Sequence, residues 1–229
     1  MPTLPSAVWL QDLNALVCGL FLLVSFALVA TRQVQGCLRL FIALSVLLGV
    51  SALFLSAIYG TWHLIVMSVV DIGTKAIIVP WILRRALPDE VYTRREVTQV
   101  LNIPTALLLA LALAITGYLL SMPLLAVDTA GAIGVNLPIG FAGLLIGGLT
   151  ACVRREAVPL FLGLLAMENS AFLAGIGVAP EMPLVAEVAI AFDVLILVFA
   201  VSVLTRTVQR HIGTTEVGAL TALKEEQRP

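Results

Sequence analysis

The sequence predicts an all-α polytopic membrane protein of about seven transmembrane helices, and three observations carry that expectation. Of 229 residues, 60% are hydrophobic and only 12% charged, with a mean hydropathy of +1.08. The chain divides into uncharged runs of about 20 residues, the length that crosses a bilayer. Every basic residue except Lys75 falls in the gaps between alternate runs or in the tail. A soluble domain is nearer half apolar and a quarter charged, and disorder needs low hydrophobicity with high charge, so both are excluded. A formal net charge of -1 offers no surface for nucleic acid. The runs are continuous rather than alternating, which disfavours a β-barrel.

In chain order, residues 13–31 lie between Asp12 and Arg32, and residues 40–62 between Arg39 and His63. A third run, from His63 to Leu83, is interrupted by Asp71 and Lys75. Residues 97–127 and 129–153 are uncharged, whereas 157–178 and 183–204 each carry acids near the middle. Inside lipid the backbone must satisfy its own hydrogen bonds, so each run reads as a helix. The N-terminus lacks the basic region of a signal peptide and reads as part of the mature protein. Arg32 and Arg39 lie in the first loop, Arg84, Arg85, Arg94 and Arg95 in the third, Arg154 and Arg155 in the fifth, and Arg206, Arg210, Lys224 and Arg228 in the tail. The opposite loops hold acids such as Asp128 and Glu181. The positive-inside rule then puts the N-terminus outside and the C-terminus in the cytoplasm.

An internal repeat is expected beneath this pattern. The segment 37–55 loosely resembles 157–173, and the helices that follow align Asp71 and Arg84 with Asp193 and Arg206. Residues 1–100 would form a first three-helix unit with its loop, 101–127 a linking helix, and 128–229 a second parallel unit with the tail. The competing reading is that any two apolar segments look alike. Cys18, Cys37 and Cys152 are far apart and form no CxxC or Cys/His cluster, so no disulfide, metal site or resident cofactor is expected. No nucleotide-binding or hydrolase motif occurs.

The remaining charges are the candidate site. An ionised group near the bilayer centre costs roughly 2.5–3.5 kcal/mol even on insertion scales. Asp71 and Lys75, at i,i+4, share a helix face and are close enough to form an ion pair or exchange a proton. Glu168, beside Asn169 and Ser170, and Asp193 have no basic residue in their own runs, so each is protonated or paired across helices. Asp71, Glu168 and Asp193 each lie 13 residues from an arginine, Arg84, Arg155 and Arg206 respectively. At 1.5 Å per residue this puts all three acids roughly 20 Å from one arginine level, near the midplane. Carboxyls at one depth can pass protons laterally, whereas the plainer alternative is a neutralising pair and hydrogen-bonded carboxyls that hold helices together. Glu187, nearer the outside, and His63, near the outer end of the third helix, are accessory candidates.

The stretch RREAVPLFLGLLAMENSAFLAGIG, followed by AFDVLILVFAVSVLTRTVQRHIGTTEVGALTALK, resembles the C-terminal half of hydrogenase-4 component E. TKAIIVPWILRRALP looks like the same family, so the likeness spans most of the chain. Component E is a membrane subunit of group 4 nickel–iron hydrogenase and formate hydrogenlyase-type complexes. The C-terminal stretch is also similar to the K-type subunit of complex I and the C-type subunit of Mrp antiporters. The resemblance implies a proton-relay role. Asp193 falls at the second of two intramembrane glutamates of the K-type subunit, Glu168 about one turn after the first, and Lys75 at the lysine of the TKxxxVP segment. It further implies a multi-pass subunit of a bacterial or archaeal cytoplasmic membrane, whose partners are antiporter-like or hydrogenase-like membrane subunits and a cytoplasmic redox arm. Metal and quinone chemistry would belong to those partners. Two alternatives remain beside the relay: a structural spacer or anchor, and a Mrp-type cation/proton antiporter subunit.

Overall fold

The computed structural model describes residues 5–86, 100–127 and 134–178, together with Leu195 and Val198. The elements among these residues are helices, with no strand. Helices α1 (Pro5–Ala30) and α2 (Val34–Tyr59) come first. Next, α3 (Trp62–Asp71) runs without a break into a π-helical stretch, Ile72–Ile78, and then α4 (Val79–Ala86). After these come α5 (Ile103–Val127), α6 (Asn136–Val153) and α7 (Ala157–Val178). With α3, the π stretch and α4 taken as one rod, six helices are long and apolar enough to cross a membrane. They match the first six expected runs. The seventh run, 183–204, is described only at Leu195 and Val198, and the C-terminal tail lies outside the described residues.

Helix ends depart from the charge-defined runs. α1 begins before Asp12 and α2 before Arg39, with both side chains exposed on their helices. A charged residue near a helix end reaches water from within the helix, so charge marks a span's edge only to within about a turn. α2 is closed by Gly60, whose φ of 69° is the left-handed conformation and whose N–H bonds the Ser56 carbonyl. Pro104 and Pro138 sit in first turns, where no N–H is needed. Pro80, in contrast, lies inside the third rod. It offers no N–H to the Ala76 carbonyl, and its ring crowds that carbonyl in a regular α-helix. The π stretch ends just before it, with the Val79 N–H bonded to the Thr74 carbonyl five residues back.

α2 lies at the centre, packed by α1, by the α3–π rod and by α7; α6 packs on α7, α1 and α5. Phe21, Phe41, Leu44, Leu48 and Leu162 are fully buried in the main core. Val198, within the expected seventh run, is buried in the same cluster. α6 approaches α7 so closely that a Cβ at Gly140 would fall 2.5 Å from the Ala174 nitrogen, and one at Gly147 2.6 Å from the Met167 nitrogen. Such small-residue seams are how lipid-embedded helices gain contact. This seam fixes the rotation of α7, turning Asn169 and Phe172 toward α2 and the π stretch. α5 is the outermost helix: Leu108, Leu111, Ile115 and Leu119 are all exposed on it, as suits a helix apolar all round and facing lipid.

Candidate ion-pair site at the centre of the bundle

Lys75 stands near the middle of the third rod, on the π stretch, and is 1% exposed. Three side-chain oxygens surround its ammonium. Asp71 Oδ1 lies at 3.0 Å from the preceding turn, and Glu168 Oε1 at 3.2 Å from α7. Lys75 Nζ also donates to Asn169 Oδ1 at 3.0 Å. The Phe172 ring closes another side, its centroid 4.8 Å from Nζ. Asn169 Nδ2 then donates to Ser45 Oγ on α2 at 2.9 Å, and Ser45 donates to the Phe41 carbonyl at 3.2 Å. One connected polar unit therefore ties together the third rod, α7 and α2.

An ammonium has three protons, and three oxygens converge on this one. Two carboxylates against one cation leave one formal negative charge when all are ionised. Asp71 Oδ2, buried, has no hydrogen-bond partner among the described residues. The unit thus has an unused acceptor and an unbalanced charge, so a further proton can be taken up and shared. Glu168, with 22% of its side chain exposed, is the most open of the three charged groups.

The structure brings Asp71, Lys75 and Glu168 together, and Glu168 is paired across helices. It does not bring in His63, which starts the third rod, stacks on Trp62 with ring centroids 4.2 Å apart, and lies roughly 18 Å along the helix from Lys75 at 1.5 Å per residue. Asp193 and Glu187 lie outside the described residues. Among the described residues no group of His, Cys, Asp and Glu is placed to hold a metal ion. Sequence reasoning missed Ser45 and Phe172, and noted Asn169 only as a neighbour of Glu168. The signal for Asn169 and Ser45 was present: each is a polar residue inside an apolar run.

A second buried polar unit was missed altogether. Asn14 Nδ2 donates to Asn136 Oδ1 (2.7 Å), Asn136 Nδ2 to Ser51 Oγ (2.9 Å), and Ser51 Oγ to Asn14 Oδ1 (2.7 Å). This closed ring joins α1, α2 and α6. Asn14 and Asn136 also line a cavity of about 280 Å³, with Gln11, Asp12 and Tyr59 on its walls. At the opposite end Arg154 is buried, and its Nη2 donates to the Leu28 carbonyl at 2.7 Å, capping the last turn of α1. Burial pulls the pKa of this guanidinium below its ordinary value, with Cys37 and Glu156 opposing the shift.

Comparison with known proteins adds distant relatives. The chain is 26% identical over 215 residues to hydrogenase-4 component E of Escherichia coli K12, covering 91% of this chain and 95% of that protein. The component E of Shigella flexneri matches equally. An uncharacterized protein of Mycobacterium tuberculosis is 28% identical over 162 residues, covering 71% of this chain and 73% of the relative. No family model matches, and no solved structure matches. The protein is thus a multi-pass, all-helical membrane protein with distant similarity to hydrogenase-4 component E.

Proposed function

We propose that this protein is a membrane subunit of a hydrogenase-like redox assembly and carries part of an intramembrane proton relay coupled to electron transfer in partner subunits. The observation that carries the reading is the convergence of Asp71, Glu168 and Asn169 on the buried Lys75 ammonium near the middle of three helices. A lysine held between two acids in a low-dielectric site shifts its proton affinity with each change in its partners' charge. Glu168 is the station nearest the surface of the bundle, and Asp193 on the seventh run is the next. The distant likeness to hydrogenase-4 component E supports placement beside antiporter-like membrane subunits and a cytoplasmic redox arm. In this reading the arginine-bearing end faces the cytoplasm, and residues 1–100 and 128–229 are parallel units about the helix 101–127.

The test is proton translocation per electron in membrane vesicles holding the assembled complex. Glu168→Gln, which keeps the shape but not the titration, is expected to lower coupled translocation by at least about tenfold while redox turnover and assembly persist. Full coupling in both Glu168→Gln and Asp193→Asn would falsify the relay. A second reading, that of a spacer holding larger subunits together, draws on the stapling of three helices by Lys75, Asn169 and Ser45. It requires the same variants to reduce assembly and leave coupling per complex unchanged.

A further inference from the structure

Building on the proton-relay reading, we propose that the Lys75 ammonium is a tethered resident cation: it fills a monovalent metal-ion site built by Asp71, Glu168 and Asn169, and so excludes Na⁺ from the centre. The position of Nζ has the marks of a hard-cation site. Three oxygens from two helices, two of them carboxylate and one amide, converge at 3.0, 3.2 and 3.0 Å. Carboxylate and amide oxygens are the donors that hard cations prefer. The Phe172 face adds the electrostatic contact that any cation gains over an aromatic ring. A further oxygen, Asp71 Oδ2, is buried beside them without a hydrogen-bond partner among the described residues.

The cage therefore holds more oxygen and more negative charge than one ammonium uses. A free Na⁺ must compete with a cation fixed to the same helix, whose effective concentration is set by a four-carbon tether rather than by the medium. With Lys75 in place, the ion that can still change at this centre is the proton. Removing Lys75 leaves two carboxylates sharing a buried site without a counter-charge, a state of high energy. They then take up either protons or a metal cation. Glu168, being partly exposed, gives a small ion access from the surface of the bundle.

The experiment uses the purified full-length chain in lipid nanodiscs, with ²²Na⁺ binding and Tm measured in NaCl against choline chloride. The wild type is expected to bind no saturable ²²Na⁺ and to show the same Tm in both salts. Lys75→Ala is expected to bind one ²²Na⁺ per chain and to gain Tm as Na⁺ replaces choline, as a ligand of the folded state must cause. Adding Glu168→Gln to Lys75→Ala should abolish both effects. Lys75→Gln, which keeps much of the side-chain volume, is the second variant, with the same expected dependence on Na⁺. If neither single variant binds ²²Na⁺ or gains Tm in Na⁺, the acids hold protons instead and the proposal is wrong. Saturable ²²Na⁺ binding by the wild type also overturns it. Because the readout is binding by the isolated chain, its failure is distinct from a failure of the coupling test, which needs the whole complex.

Discussion

Two buried polar units share α2, and they differ in what is left over. The ring of Asn14, Ser51 and Asn136 is neutral and closed: each of its three bonds passes to the next residue and returns. The centre around Lys75 carries charge, remains open at Asp71 Oδ2, and reaches the surface through Glu168. Both join helices distant in sequence, so both hold the bundle together. The difference is that the ring has one state, whereas the centre has several that differ by a proton or a cation. Burial of polar groups alone does not mark a working site; unused valence does.

Breaking the comparison starts with Lys75→Met, which strands two carboxylates. Loss of one partner of a buried charge pair costs about 3–5 kcal/mol, so the largest fall in thermal stability in detergent is expected here. Asn136→Ala opens the neutral ring and leaves Asn14 and Ser51 each short of a partner. The expected loss is about 1–3 kcal/mol, with coupled proton translocation retained. A double-mutant cycle between Asn14→Ala and Asn136→Ala sharpens the contrast. The two sites touch, so their effects should fall short of additivity by about 0.5–3 kcal/mol. The smallest change in stability is expected for Asp71→Asn, within about 1 kcal/mol, because Oδ2 has no partner to lose and Oδ1 still accepts from Lys75. The same variant should nonetheless alter coupling, which separates the centre's working role from its stapling role.

Six of the seven expected helices were readable from the runs of uncharged residues, and Asp71, Lys75 and Glu168 stood out because ionisable groups are rare within such runs. Their partnership was only half readable. The Asp71–Lys75 spacing predicts contact within one helix, but nothing local states that α7 turns Glu168 and Asn169 onto Lys75; the α6–α7 glycine seam decides that rotation. The ring escaped because Asn and Ser barely lower the hydropathy of an apolar run. Arg154 was read as a marker of one membrane face, which says nothing of its bond to the Leu28 carbonyl. The π stretch had one signal, Pro80, though a proline inside a span is as compatible with a simple kink.

Arg154, Asn136 and Asn169 have one more consequence, and it concerns time. The ribosome delivers α1, α2 and the third rod first, yet the polar groups these helices bury find partners on residues made much later. The bond from Arg154 to Leu28 spans 126 positions, that between Asn14 and Asn136 spans 122, and that from Lys75 to Asn169 spans 94. Until α6 and α7 emerge, an asparagine, a lysine and the open end of a helix must wait in or beside the lipid incompletely paired. The first half of the chain is thus committed to the membrane before it is stable there, and it is the arrival of the second half that locks it.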